Sequence, residues 1–314
     1  MQITNVRKHR LRSTPQPSGK RTTITEHDIF GIFEPLSRHA QLTTKQLVAF
    51  DRRCDSKTRN RLTDLYHEEG AWLTRSSEEL KFANALFVDE MYRLGEDAEE
   101  LLRARGIIPT HDWVQASRIG AHSTSPSKII RLAHDHMASE IAVDIELGAR
   151  AVPAIQFRNH IEISKAAPDE TRKQSKPLRI PVPPSFGAPK WIEPDALFGL
   201  GTRIYAIEAD MNTESIEAVI KAKIRAYREI VATYAIDDHL GINNLTVLFV
   251  TTNQTHMNNM MKAVSEIVKN GRSKMFAFAC RPDLADFRRA PAPTGRMFNE
   301  PWKRVGYDDL YLNQ

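Results

Sequence analysis

The run Leu245-Thr246-Val247-Leu248-Phe249-Val250-Thr251 narrows what this chain can fold into more than any other feature. Its nearly continuous apolarity leaves no face for water, as expected of a strand buried on both sides. A strand of that kind needs layers above and below it. The flanking segments can supply them. A long helix is expected from about Ser127 to Ala149, with Ile130, Met137, Ile141 and Ile145 aligned as its buried stripe at about 100° per residue. His134 falls within that stripe, where a lone histidine is most often a core residue. Asp144 sits on the stripe's edge and Glu140 a little further round. Ala154–Ser164 alternates like a strand, and Lys165–Pro189, rich in Pro, Lys and Ser, reads as a loop or flexible insertion. Two strands follow, joined by a Gly199-Leu200-Gly201 turn, the first with Ile192, Ala196 and Phe198, the second with Ile204, Ala206 and Ile207. A helix capped at Thr213–Ser215 reaches Tyr234, another spans about Met257–Val268, and a last strand covers Lys274–Ala279. The order is α-β-β-β-α-β, then α-β. That is not a doubly wound nucleotide-binding order, and no glycine-rich phosphate loop accompanies it.

At 314 residues the chain is long enough for two domains. No apolar run approaches the roughly 20 residues that cross a bilayer, and the basic N-terminus lacks the apolar core of a secretory signal. A cytoplasmic protein with no membrane partner is therefore expected. Cys54 and Cys280 are the only cysteines, too few and too far apart to imply a disulfide framework or a cysteine zinc site. The net charge of +5 leans toward a polyanionic partner. Arg7, Lys8, Arg10, Arg12, Lys20 and Arg21 precede the first acid, Glu26, and are interrupted by Pro15, Pro17 and Gly19. Residues 1–24 thus read as a disordered basic arm able to neutralise phosphates without reading sequence.

Residues 25–106 carry a different pattern. Thr25 can cap a helix with Ile29, Phe30, Ile32, Phe33 and Leu36 on one face. Thr43 or Thr44 can cap a short helix with Leu47, Val48 and Phe50, and a third helix runs from Lys57 to Glu69 and stops at Gly70. Three short helices with tight connections form the helix-turn-helix pattern. Leu62, Leu65 and Tyr66 anchor the third, whose leading turns carry Lys57, Thr58, Arg59, Asn60 and Arg61. In this motif those positions face the major groove. Arg59 and Asn60 suit base edges, while Lys57 and Arg61 suit phosphates. Ala71–Thr74 and a segment around Phe87–Tyr92 read as a hairpin wing, and a further helix starts at Gly95-Glu96-Asp97 and ends at Gly106. A winged helix binding double-stranded DNA is the reading; a small helical domain used for protein contacts is its rival. Residues 107–127 read as a linker, 128–280 as the second domain, and 281–314, with several prolines and Trp302, as a C-terminal tail able to dock on a partner.

Two acids in the second domain sit on hairpin-paired strands, Asp195 and Glu208, so their carboxylates can converge. Paired hard oxygen ligands suit Mg²⁺ or Mn²⁺, and such an ion could activate water for phosphodiester cleavage. Asp210, two residues after Glu208, points to the same face of the strand. On the following helix, Ile216, Val219, Ile220, Ile224, Tyr227, Ile230 and Val231 share one arc, and Lys223 falls inside it, while Lys221 points away. A lysine on such an arc needs an anionic partner, and Asp195, Glu208 or a phosphate would serve.

Pro194-Asp195, a hairpin turn and Glu208-Ala209-Asp210 on this element order resemble the PD-(D/E)xK nuclease superfamily, of restriction-endonuclease type. The motif's lysine position is occupied here by the acid Asp210. In some members the lysine comes from the following helix, which implies Lys223. A helix preceding the strands often adds an acid to the metal site. Glu140 matches that role in type and Asp144 in phase. Over most of Glu26–Glu266 the chain also resembles the bacterial replication-relaxation proteins of plasmids and other mobile elements. The resemblance rests on Leu42–Leu73, Pro194-Asp195-Ala196-Leu197-Phe198, Glu208-Ala209-Asp210 with Thr213-Glu214-Ser215, and Lys223-Ile224-Arg225-Ala226-Tyr227. It implies a role in DNA relaxation, replication or transfer, with a relaxase or replication initiator as partner.

The expected fold class is α+β, a winged helix-turn-helix followed by a restriction-endonuclease-like domain. One functional reading is a metal-dependent endonuclease or nickase with Asp195 and Glu208 on the metal, Asp210 or Glu140 assisting, and Lys223 steadying charge. Another is a non-catalytic DNA-binding accessory or regulator whose nuclease fold serves binding or homodimerisation. A third makes the acids fold-supporting acceptors in a protein-interaction module.

Overall fold

Thr25 starts the first helix through a capping box, its hydroxyl accepting the Asp28 amide while the Asp28 carboxylate accepts the Thr25 amide. This helix, α1, runs through Glu26–Asp28, a π-helical turn Ile29–Phe33 and Glu34–Arg38. It buries Ile29, Ile32, Phe33 and Leu36, whereas Phe30, expected on the same face, is exposed. The structure is a computed structural model describing residues 14–19, 22–68, 70–75, 90–108, 128–184, 188–286 and 291–314. The expected arm cations Arg7, Lys8, Arg10, Arg12, Lys20 and Arg21, the linker 109–127, Phe87 of the expected wing and the side chain of Ile130 lie outside the described residues.

Strand β1 (Leu42–Thr43) leads into α2 (Thr44–Phe50), where Thr43 and Gln46 form a second capping box. Helix α3 (Asp55–His67) follows from an extended Cys54. Strands β2 (Leu73–Thr74) and β3 (Met91–Leu94) pair antiparallel, with Leu73 opposite Leu94, and the small sheet has the order β1-β3-β2. Gly95 then enters α4 (Glu96–Ala104). A Cβ at Gly95 would lie 1.8 Å from the Ala71 carbonyl oxygen, so only glycine permits this approach. Leu47, Leu62, Leu65, Tyr92 and Leu102 fill the core between these elements.

The long helix, α5 (Lys128–Arg150), serves two cores. Met137, Ile141 and Ile145 pack on the large sheet, while Val143 joins the core of α1–α4. The buried Arg38 guanidinium reaches Glu146 of α5 at 2.6 Å, which ties α1 to this helix.

The strand expected over Ala154–Ser164 is reduced to β4 (Phe157–Arg158) and gives way at His160 to helix α6 (His160–Ala166). Asn159 and Glu162 form a capping box that outweighs the alternation of apolar residues. The expected loop contains α7 (Asp169–Arg172) and β5 (Ile180–Pro181), which pairs with β6 (Trp191–Ile192). Strands β7 (Ala196–Leu200) and β8 (Arg203–Asp210) form the hairpin. Gly199 and Leu200 belong to β7, so the turn falls at Gly201-Thr202. Helix α8 opens with a π-helical turn Ile216–Ile220 under the Ser215 cap and continues as Lys221–Ala232. Then come α9 (Ala235–Leu240), β9 (Thr246–Thr251), α10 (Gln254–Ile267) and β10 (Phe276–Cys280).

Residues 281–314 are not a detached tail. They form α11 (Arg296–Asn299), β11 (Trp302–Arg304) and β12 (Tyr307–Leu310). The large sheet has the order β12-β11-β10-β9-β8-β7-β4, with β8, β9 and β10 mutually parallel and the other pairings antiparallel. Trp302 is buried, and its indole N–H donates to the Met297 carbonyl. Gly148 of α5 lets Phe298 of α11 lie against it, since a Cβ there would sit 2.6 Å from the Phe298 Cβ. Helices α8, α9 and α10 cover one face of the sheet, and α5 with α11 cover the other. Among the described residues no helix is long and apolar enough to cross a membrane.

Candidate functional site

The start of β7 and the end of β8 lie side by side, and the Asp195 amide donates to the Ile207 carbonyl. Asp195 Oδ2 in turn accepts the Ala209 amide at 2.8 Å. Ile207 and Ala209 face α5, so by strand alternation Glu208 faces α8. There it is almost fully buried. Its Oε1 accepts the Tyr227 hydroxyl, and its Oε2 lies 2.7 Å from the Lys223 ammonium. Lys223 also holds Glu214 Oε1 at 2.8 Å. The inward lysine expected from the helical arc is therefore paired with the anion expected for it.

Burial pushes the Glu208 carboxyl up to about 7, with Asp195 adding repulsion and Lys223 pulling it back. Burial would lower Lys223, but the carboxylates of Glu208, Glu214 and Asp195 outweigh it and raise its pKa. The Tyr227 hydroxyl is pushed well up by burial and by Glu208 beside it.

From α5 the residue that reaches this centre is His134. Its Nε2 lies 3.1 Å from the Ala209 carbonyl oxygen and 3.6 Å from Asp195 Oδ2. Burial would lower its pKa, yet Asp195 and Asp135 raise it to about 9. It is an edge residue of the acidic centre, and its place on the apolar stripe concealed that role. Glu140 is buried on α5, with His136 3.6 Å away. Asp144 is spent elsewhere, its carboxylate accepting the amides of Thr294, Gly295 and Met297 and fixing the start of α11.

Asp210 also leaves the cluster. Its Oδ1 accepts the Thr213 and Glu214 amides, and its Oδ2 meets His256 Nε2 of α10 at 2.6 Å. It shapes the turn between β8 and α8. Tyr227, Glu214 and His256 were not singled out by the sequence. Tyr227 lay on the same arc as Lys223, which was the available signal.

Asp195 and Glu208 are the carboxylates expected to hold Mg²⁺ or Mn²⁺. A hard divalent ion takes six or more oxygen donors. Both Glu208 oxygens are engaged, one by a hydroxyl and one by an ammonium, and one Asp195 oxygen holds a backbone amide. Among the described residues no group of three or more His, Cys, Asp and Glu is arranged to hold a metal. In this arrangement the donor set does not fit the ion. What it forms is a buried, internally neutralised cluster whose two cations, Lys223 and His134, are each 22% exposed at its edge.

On α3 the five candidate residues separate. Lys57, Arg59 and Asn60 are exposed. Thr58 is fully buried, its hydroxyl donating to Asp51 Oδ2 at 2.8 Å, so it cannot face a groove. Arg61 donates to both Asp28 oxygens, at 2.9 and 2.7 Å, and to the Thr23 carbonyl. Arg53 joins it on Asp28 and also holds Asp51. Burial would raise the Asp28 carboxyl, but Arg61 and Thr25 hold it below the usual range. Thr58 and Arg61 thus fix α3 to α1 and α2, and three polar side chains remain on its outer surface.

The fold and these two sites define an α+β protein with an exposed basic helix turn and a separate acidic cluster at the ends of β7 and β8. The replication-relaxation family matches residues 33–246, about two thirds of the chain, and the chain belongs to that family. Membership points to a role in the replication or relaxation of mobile elements. The match spans all five α3 residues and Asp195, Glu208, Asp210 and Lys223, and stops at the first residue of β9. No curated protein and no solved structure matches.

Proposed function

We propose that this chain is a DNA-binding protein of a plasmid or other mobile element, acting in its replication, relaxation or transfer. Residues 25–106 serve as a winged helix and the second part as a restriction-endonuclease-like domain. The observation that carries this reading is the exposure of Lys57, Arg59 and Asn60 on the leading turns of α3 while Thr58 and Arg61 hold the helix down. Those are the positions a recognition helix presents to the major groove. Lys57 suits a phosphate, and Arg59 and Asn60 have donors and acceptors that suit base edges. Double-stranded DNA and a relaxase or replication initiator of the same element are the partners under this reading.

The test is fluorescence anisotropy with duplex DNA over a salt series. Lys57→Ala with Arg59→Ala should weaken binding at least tenfold and flatten the salt dependence, by about 0.9 in log–log slope for each phosphate no longer neutralised. Unchanged affinity and slope would remove α3 as the recognition helix.

A second reading, phosphodiester cleavage, is favoured by one observation: Asp195, Glu208 and a helix-borne Lys223 come into one cluster. Both Glu208 oxygens and one Asp195 oxygen are already engaged, which leaves the cluster closed to a divalent ion in this arrangement. Supercoiled plasmid incubated with Mg²⁺ or Mn²⁺ should stay intact. Nicking by the wild type but not by Asp195→Ala would establish cleavage in its place.

A further inference from the structure

Between the end of β10, the start of α10 and β11 lies a cavity of about 190 Å³ that neither α3 nor the Asp195–Glu208 cluster uses. Strands β9 and β10 run parallel with Thr251 opposite Cys280, and α10 begins just beyond, with Asn253 capping it. The carboxyl ends of parallel strands are where open sheets receive ligands. A helix N-terminus there favours negative charge. Met257, Phe278 and Trp302 give the cavity an apolar wall, and Gln254, Arg281 and Lys303 give it polar groups.

Arg281 is the informative residue. Its side chain is only 8% exposed, and Asp283 grips one edge of the guanidinium, accepting from Nε at 2.8 Å and Nη2 at 2.7 Å. The remaining nitrogen, Nη1, is buried with no hydrogen-bond partner. The Arg281 amide donates to the carbonyl of Thr251, whose own buried hydroxyl likewise has no partner. Buried polar groups are nearly always satisfied, and an unsatisfied guanidinium nitrogen on a residue that lines a cavity asks for an acceptor. The nearby acids are committed: Asp283 to Arg281, and Glu300, which lines the cavity, to Arg296 at 2.9 Å. Lys303 pairs with Asp309 at 2.7 Å.

We propose that this cavity binds the phosphate group of a nucleotide. Arg281 Nη1 donates to its oxygens, and the apolar wall carries the sugar or base. The phosphate comes either from a free nucleotide or from a DNA strand laid along the sheet edge. From β7 to β10 is roughly 14 Å, three steps of about 4.8 Å, within a few nucleotides' reach of Asp195. Only this second source rests on the DNA-binding reading.

The full-length chain is titrated calorimetrically with inorganic phosphate and with deoxyadenosine 5′-monophosphate, and by anisotropy with a single-stranded oligonucleotide. The variants are Arg281→Met and Gln254→Glu. The second adds an acid at the first position of α10, where it suits the helix, so it tests the site even where Arg281→Met fails to fold. A free-nucleotide site predicts mononucleotide binding weakened at least tenfold by both folded variants and unchanged by Lys57→Ala/Arg59→Ala. A DNA-backbone site predicts the same weakening for the oligonucleotide alone. Binding of neither ligand, or binding indifferent to Gln254→Glu in a protein with unaltered melting, overturns the proposal. Loss of duplex binding in the α3 variant reports separately on the DNA-binding reading.

Discussion

Asp28 in α1 and Glu208 in β8 are both carboxylates withdrawn from water, 0% and 2% exposed, and both are met by cations. Their surroundings separate them. Asp28 receives two guanidiniums, from Arg53 and Arg61, together with the Thr25 amide and hydroxyl. Those bonds overcome burial and hold its pKa down. Glu208 receives one ammonium and one phenol and has Asp195 nearby, so burial prevails and its carboxyl rises to about 7. The N-terminal cluster is a clamp that stays charged. The cluster at the ends of β7 and β8 is balanced close to neutrality, with partly buried cations at its rim. Equal loss of surface exposure does not imply equal chemistry; depth of burial and the number and kind of donors decide together.

The largest break in this comparison should come from Asp28→Ala. It leaves Arg53 and Arg61 facing a buried void, and breaking such a pair costs about 4 kcal/mol. Urea denaturation should show the midpoint falling accordingly, whereas Glu208→Gln, which keeps an acceptor for Tyr227, should lose far less. Equal losses would make the two clusters equivalent.

The pH dependence sharpens the contrast. His134 has a folded pKa of about 9, above its ordinary 6.5. Its contribution is therefore fully present below pH 6.5 and is lost as pH rises through 9. Glu208 acts in the same sense at lower pH, its contribution present below about 4.5 and lost through about 7. Asp28 acts oppositely, stabilising above 3.8 and losing that effect as pH falls. Stability measured from pH 6.5 to 9.5 should decline, and His134→Ala should remove up to about 3 kcal/mol of that decline. An identical slope in the variant would mean that His134 does not carry the charge.

The smallest effects divide the leading turns of α3. Thr58→Val should cost about 1–2 kcal/mol through the missing bond to Asp51. Arg59→Ala should change stability by less than about 0.5 kcal/mol while altering DNA affinity. Thermal melts of the two variants side by side test whether one helix turn carries both an anchoring and a binding face.

Much of the architecture was legible because it is written in local signals. The Thr25, Thr43 and Ser215 caps, the apolar run of β9 and the hairpin around Gly201 each depend on neighbours a few residues apart. Where two local signals conflicted, the reading failed: the capping box at Asn159 overrode the alternation over Ala154–Ser164. The convergence of Asp195, Glu208 and Lys223 was legible too, since strand pairing and helical phase both constrain it.

Sequence by itself determined the capped helices of the N-terminal part, the long helix α5, the β7–β8 hairpin and the buried strand β9, because caps and periodicity act over a turn or a strand pair. Only the tertiary structure decided what those elements meet. It turned Asp210 to His256, sent Asp144 to the amides of Thr294, Gly295 and Met297, brought His134 to Asp195 and folded residues 291–314 onto the sheet edge. Each of these contacts joins residues 46 to 153 positions apart or completes a sheet edge. Their energies depend on desolvation and partner geometry, which exist only once the layers have packed.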